Sequence, residues 1–170
     1  KPLSSAPAQW SDALQAPATE QTDPRLRTLA AIEHAVISCA ESLGRAFDHL
    51  KDVTNKPGDS DMSLRAALNA LNESQQALKP IQRLTATSPE QMRELFTCVS
   101  DTSASLGRLI EMSRDALGVS FEVTRRHKVR EIMLACPLIT DGLENALVIP
   151  LKVTKQEMIG QANPPHSLTA

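Results

Sequence analysis

Apolar residues recur every three or four positions along most of this chain, and this spacing predicts helices. The clearest apolar stripe lies between residues 24 and 53, where the steps of three and four continue without a break, as on one face of an α-helix. Asp23 is placed to cap this helix, and Pro24 occupies its first position, where a missing N–H costs nothing. The stripe consists of Leu29, Ile32, Val36, Cys39, Leu43, Ala46 and Leu50.

The same spacing predicts three further long helices. A leucine stripe indicates a second helix at about residues 61–79, which Pro80 either kinks or ends. The motif "SPEQ" at 88–91 can form a capping box for a third helix, and Gly118 is placed to end it. A fourth helix is predicted over residues 120–136.

Pro137 is expected to interrupt the fourth helix, so the C-terminal part is predicted separately. The stretch "TDGLENALVIP" at 140–150 and the residues after it predict one or two short helices. Residues 146–153 are also compatible with an extended segment, because they include the β-branched Val148, Ile149 and Val153 and because Pro150 cannot donate a hydrogen bond. Together these elements predict an all-α fold, an antiparallel helical bundle of four main helices with one or two short C-terminal helices.

The two ends of the chain differ in composition from the helical part. Residues 1–22 are rich in Pro, Ala, Ser and Gln, and residues 161–170 are similarly poor in core-forming side chains. Both are predicted to be disordered linkers or tails around a bundle domain at 23–160. Trp10 with Leu14 is the exception, a candidate docking motif for a partner. The alternative is that this pair rests on its own domain or on nothing.

Composition excludes several classes of partner and site. The chain has 18 Lys+Arg, 20 Asp+Glu and a net charge of -2, so charge alone indicates neither a nucleic-acid nor a membrane partner. With three Phe, one Trp and no Tyr, the core is predicted to be aliphatic. Three widely spaced cysteines indicate buried free thiols and a reducing compartment, cytoplasmic or nuclear. We expect no apolar run to reach the roughly 20 residues of a membrane span.

The densest positive charge lies in the fourth helix and is the candidate nucleic-acid contact. It consists of Arg125, Arg126, Lys128 and Arg130. At about 100° per residue these cations do not share a face. Arg126 and Arg130 lie on one flank and Lys128 on the other, while Arg125 falls in the core stripe. Because a groove-reading helix needs its cations on one face, a solvated helix is the favoured interpretation.

Small residues interrupt the apolar stripes of the first and third helices at the same level. They are "SCAESLG" at 38–44 and "SASLG" at 103–107. Small side chains allow close backbones, so these bands predict tight packing of the first helix on the third. The alternative is a groove that accepts a helix of a partner.

The sequence contains no recognisable nucleophile arrangement, phosphate loop or metal-ligand spacing. It therefore predicts no enzyme, no cofactor and no small-molecule substrate. Because the chain begins at Lys1 without an initiator Met, we expect a domain of a larger protein. The predicted function is a protein-protein interaction or oligomerisation domain of an intracellular regulatory or scaffold protein, with another protein or a second copy as partner. The alternative is a nucleic-acid-associated domain that uses residues 125–130.

Overall fold

The computed structural model describes residues 24–56, 58, 60–85 and 92–162, and every element within these residues is a helix. The all-α prediction is therefore confirmed. Trp10, Leu14 and the two predicted tails, apart from positions 161 and 162, lie outside the described residues. The elements are α1 Pro24–Asn55, α2 Ser60–Ala77, α3 Lys79–Thr85, α4 Arg93–Leu117 and α5 Glu122–Ala162.

The four long helices form a bundle in which each packs against two neighbours. α1 and α4 both contact α2 and α5, so α1 and α4 occupy opposite corners. The connections from α1 to α2 and from α4 to α5 are short, so the chain reverses direction at each of them. α3 packs mainly against α4 and α1.

The core is aliphatic, as the scarcity of aromatic residues predicts. Among the described aromatic side chains, Phe47 is half-buried, while Phe96 and Phe121 are exposed. Burying a leucine or isoleucine side chain contributes about 1.5–3 kcal/mol. The largest fully buried side chains are Ile32, Leu50, Leu64, Leu71, Leu78, Ile81, Leu95, Leu106, Ile132 and Ile139.

The last helix corrects the prediction for the C-terminal part of the bundle. α5 runs without a break through Pro137 and Pro150, so the one or two short C-terminal helices were wrong, and residues 146–153 are helical. A proline inside a helix costs about 3 kcal/mol. Apolar side chains on both sides of Pro137, such as Ile132 and Ile139, are fully buried in the core. Their burial outweighs the lost hydrogen bond.

The helix ends match the prediction at some positions only. Pro24 begins α1 as expected, and α2 ends at Ala77, so that Pro80 falls in the first turn of α3. α4 begins at Arg93, and the capping box at 88–91 lies outside the described residues. α4 ends at Leu117 as predicted, but Gly118 has a φ of -78° and so does not form a left-handed cap.

The small-residue bands do not hold α1 against α4. Gly44 has no atom within 4 Å of the place where a Cβ would stand, and Gly107 faces the Gln75 side chain of α2. The predicted packing of α1 on α4 at this level was therefore wrong. Among the glycines whose surroundings the structure describes, the closest helix contact is at Gly142 of α5, where a Cβ would lie 2.4 Å from Thr102 Oγ1 of α4.

Candidate interaction surface

Arg125 is a buried arginine whose donors are all directed at the protein. The residue is 8% exposed. Its Nε donates to the carbonyl of Ala116 at 3.0 Å, and its Nη2 donates to the carbonyls of Leu117 and Val119 at 3.1 and 2.8 Å. The remaining nitrogen, Nη1, lies 2.9 Å from Ser60 Oγ and 2.9 Å from Asp61 Oδ1. Because an arginine has five N–H groups, this guanidinium has none left for a phosphate.

These contacts join three helix ends. Two of the carbonyls, those of Ala116 and Leu117, belong to the last turn of α4, where the i+4 donors of the helix are missing, although Ala116 also accepts from Val119 N–H at 3.2 Å. Ser60 and Asp61 begin α2. Ser60 Oγ in turn donates to Glu122 Oε1 of α5 at 2.7 Å. The predicted position of Arg125 in the core stripe is confirmed by its burial. Its guanidinium caps α4 and binds the start of α2.

The other cations of the segment do not form a common basic face. Arg126 Nη2 is 3.9 Å from Glu122 Oε2, an ion pair between residues four apart on the helix. Lys128 is half-buried on the other flank, and Arg130 is exposed. The structure therefore separates the four candidate residues. A nucleic-acid contact stays a prediction for Arg126, Lys128 and Arg130.

The surface side of α5 carries exposed apolar residues, and we call it the outer face. Leu134 and Leu138 are one turn apart and 79% and 72% exposed. Large exposed apolar side chains that adjoin one another are typical of interaction sites. The face includes Val123, Arg130, Leu134, Leu138, Asp141 and Val148, and the polar residues His127, Asn145 and Lys152 lie on the same side, all of them exposed.

The sequence reasoning missed the outer face because it ended the helix at Pro137. Leu134 and Leu138 were then assigned to different elements. In one continuous helix they are i and i+4 neighbours on the same side. The signal that finds the face is the spacing of apolar and charged residues through the proline.

Two grooves lie beside the outer face. One, of about 1020 Å³, runs between α4 and α5 and includes Leu138 and Val148. The other, of about 550 Å³, lies between α1 and α5 and includes Pro137. Asp141 lines both grooves. The outer face is therefore a ridge with space on either side of it.

The cysteine thiols are poor candidates for covalent chemistry. Burial raises the pKa of Cys39 to about 11, against a smaller lowering by its hydrogen bond with Ser74. Burial also raises the pKa of Cys136 to about 11. Cys98 is partly buried, and desolvation raises its pKa as well. Since the thiolate is the nucleophile, these thiols are largely unreactive at neutral pH.

Across the part of the chain that the structure describes, no group of three His, Cys, Asp or Glu side chains is placed to hold a metal ion.

α5 also has the length and composition of a membrane span between Glu122 and Lys152, the one described helix that does. This corrects the expectation that no apolar run is long enough, because only Asp141 and Glu144 interrupt residues 132–149. A core helix passes the same test, and α5 contributes side chains such as Ile132 to the core. Length and composition alone therefore do not distinguish the two.

Comparison of the chain with protein-family models, curated proteins and solved structures gives no match. The function is therefore argued from the geometry of the chain itself.

Proposed function

We propose that this domain is a protein-protein interaction module that docks its partner through the outer face of α5. The observation that carries the proposal is the exposure of Leu134 and Leu138, 79% and 72%, one turn apart on one continuous helix. Burying such side chains against a partner contributes about 25 cal/mol to the free energy of binding for each Å² of apolar surface removed from water.

The geometry of α5 supports docking at this face. The opposite side of the same helix is anchored in the core by residues such as Ile132 and Ile139, which are fully buried. The outer face is thus presented on a rigid element, and rigid elements lose little conformational freedom on binding. The adjoining grooves offer room for side chains of a partner.

Nucleic-acid binding, the alternative, draws less support from the structure. Arg125 has no free donor, and Arg126 pairs with Glu122. Arg130 is the most exposed arginine of the segment, and Asp141 and Glu144 follow it on the same helix. Binding to phosphates needs several cations together.

A photo-crosslinking experiment tests the proposal. A photoreactive residue replaces Leu134 in the full chain, expressed in the cells that make the protein. The matched control places the same residue at Met62, which is 68% exposed on α2. We expect adducts of discrete mass from position 134 and none of those masses from position 62. Adducts that are equal at both positions, or absent at 134, would overturn the proposal.

A further inference from the structure

We infer that the partner of the outer face is a second copy of this chain, paired antiparallel through α5 about a two-fold axis. The inference deepens the proposed function and rests on it. It is carried by the positions of Arg130 and Asp141 on the outer face, which come level with each other when one copy is reversed.

The first step is the position of the residues along the helix. Arg130 and Asp141 are equidistant from the midpoint between Ala135 and Cys136. Each lies about 8 Å from that midpoint at a rise of 1.5 Å per residue. Val123 and Val148 are equidistant from the same point. In an antiparallel pair centred there, Arg130 of one chain stands level with Asp141 of the other, and Val123 with Val148.

The second step is the position of the residues around the helix. At about 100° per residue, Val123, Arg130, Asp141 and Val148 fall within about 20° of one another. When a two-fold axis relates two antiparallel helices, residues on one flank of the first helix lie beside residues on the same flank of the second. Arg130 and Asp141, which are level along the helix axis, are therefore also on the same side of the interface, as are Val123 and Val148. Leu134 and Leu138 occupy the centre, where each contacts the other residue of the second copy.

The third step is that these charges are available. Arg130 and Asp141 are exposed, and neither forms an ion pair within the described residues. One isologous interface would create two Arg130–Asp141 pairs around a leucine centre. Opposite charges placed at the edge of an apolar contact fix its register and exclude wrong orientations.

Charge reversal in the full chain tests this pairing by sedimentation equilibrium. Arg130→Asp places an aspartate opposite Asp141 twice in each dimer, and Asp141→Arg places two arginines opposite each other twice. We expect each single variant to weaken the dimer by about tenfold or more. Arg108→Asp, an exposed charge reversal on α4, is the control and should dimerise like the unchanged chain.

Two combinations should restore the dimer, and they make the test specific. The double variant Arg130→Asp/Asp141→Arg exchanges the charges and recovers both attractive pairs. An equimolar mixture of the two single variants forms a heterodimer in which both pairs are again opposite in sign. We expect affinities within about threefold of the unchanged chain in both cases. Dimers that ignore charge reversal, or that no combination restores, would overturn the antiparallel register.

The apolar centre gives a second measurement. Leu134→Asp/Leu138→Asp should leave the chain monomeric with an unchanged helical circular dichroism spectrum, while the unchanged chain sediments as a dimer of two 18.5 kDa chains. An unchanged chain that is monomeric at every concentration would overturn the inference.

Crosslinks from a photoreactive residue at position 134 then identify what covers the outer face. Adducts to another protein would keep the proposed function, internal adducts to residues such as Trp10 would assign the face to the chain's own segment, and no adducts would remove both proposals.

Discussion

The two sides of α5 have similar residues and opposite surroundings. The inner side places Ile132 and Ile139 in the core at 0% and 1% exposure, while the outer side leaves Leu134 and Leu138 at 79% and 72%. Arginines show the same contrast. Arg125 is buried among helix ends, and Arg130, in the same basic segment, is exposed.

The contrast shows that residue type alone does not assign a role on this helix. An arginine on the core side is a structural residue because its donors replace missing helical hydrogen bonds. A leucine on the surface side contributes nothing to the fold by burial, so it is free to serve a contact. Substitutions of the same residue type on the inner and the outer side of α5 measure how much each side contributes to the free energy of unfolding.

The largest effect is expected from the apolar pair. Ile132→Ala removes a fully buried side chain and should lower the free energy of unfolding by about 3–4 kcal/mol. Leu134→Ala should change it by no more than about 0.5 kcal/mol. Urea unfolding at a concentration where the chain is monomeric checks both values. Equal losses of unfolding free energy in Ile132→Ala and Leu134→Ala would show that another segment of the same chain buries the outer face.

The arginine pair should follow closely. Arg125→Met removes a side-chain donor from the carbonyls of Ala116 and Leu117, and it leaves Asp61 with Arg65, 3.4 Å away, as its remaining cationic partner. We expect a loss of about 3 kcal/mol, the low end for a broken buried ion pair, because Asp61 is half-exposed. Arg130→Met should cost under about 0.5 kcal/mol. Thermal unfolding of the two variants side by side decides the point, and a stable Arg125→Met chain would refute the capping role.

A smaller effect is expected where α5 meets α4. A Cβ at Gly142 would stand 2.4 Å from Thr102 Oγ1, so Gly142→Ala forces the helices apart. The overpacking should exceed the gain in helix propensity by about 1 kcal/mol. Adding Thr102→Ala makes room for the new methyl group. A double-mutant cycle should show favourable coupling between the two changes, and the absence of coupling would mean that residue 142 does not pack closely against Thr102.

The smallest effect concerns pH and the thiol on the inner side. The folded pKa of Cys136, raised by burial to about 11, exceeds its ordinary value of 9.0. The buried thiol in its neutral form contributes fully to the free energy of unfolding below pH 9. This contribution is lost between pH 9 and 11 as the thiol of the unfolded chain ionises first, by about 1 kcal/mol at pH 10. Cys136→Ala should reduce the decline in unfolding free energy between pH 8 and 10, measured under reducing conditions. An exposed thiol introduced as Leu134→Cys should leave that decline unchanged, and a slope equal in all three chains would contradict the assignment.

The sequence by itself determined the helical class, the aliphatic core and the stripe positions, because the spacing of apolar residues is a local property of each helix. It placed Ile32 in the core and Arg125 on the core side, and their burial confirms both. It also predicted that α4 ends before Gly118. These predictions needed no knowledge of neighbouring helices.

The tertiary structure alone decided the path of α5 and the partners of each stripe. Whether Pro137 ends a helix depends on the packing energy of residues on both sides of it, and that energy comes from other helices. The position of α1 opposite α4 likewise followed from how four stripes close around one core. The outer face could be recognised only after the helix was known to continue, because Leu134 and Leu138 become neighbours through the backbone that joins them.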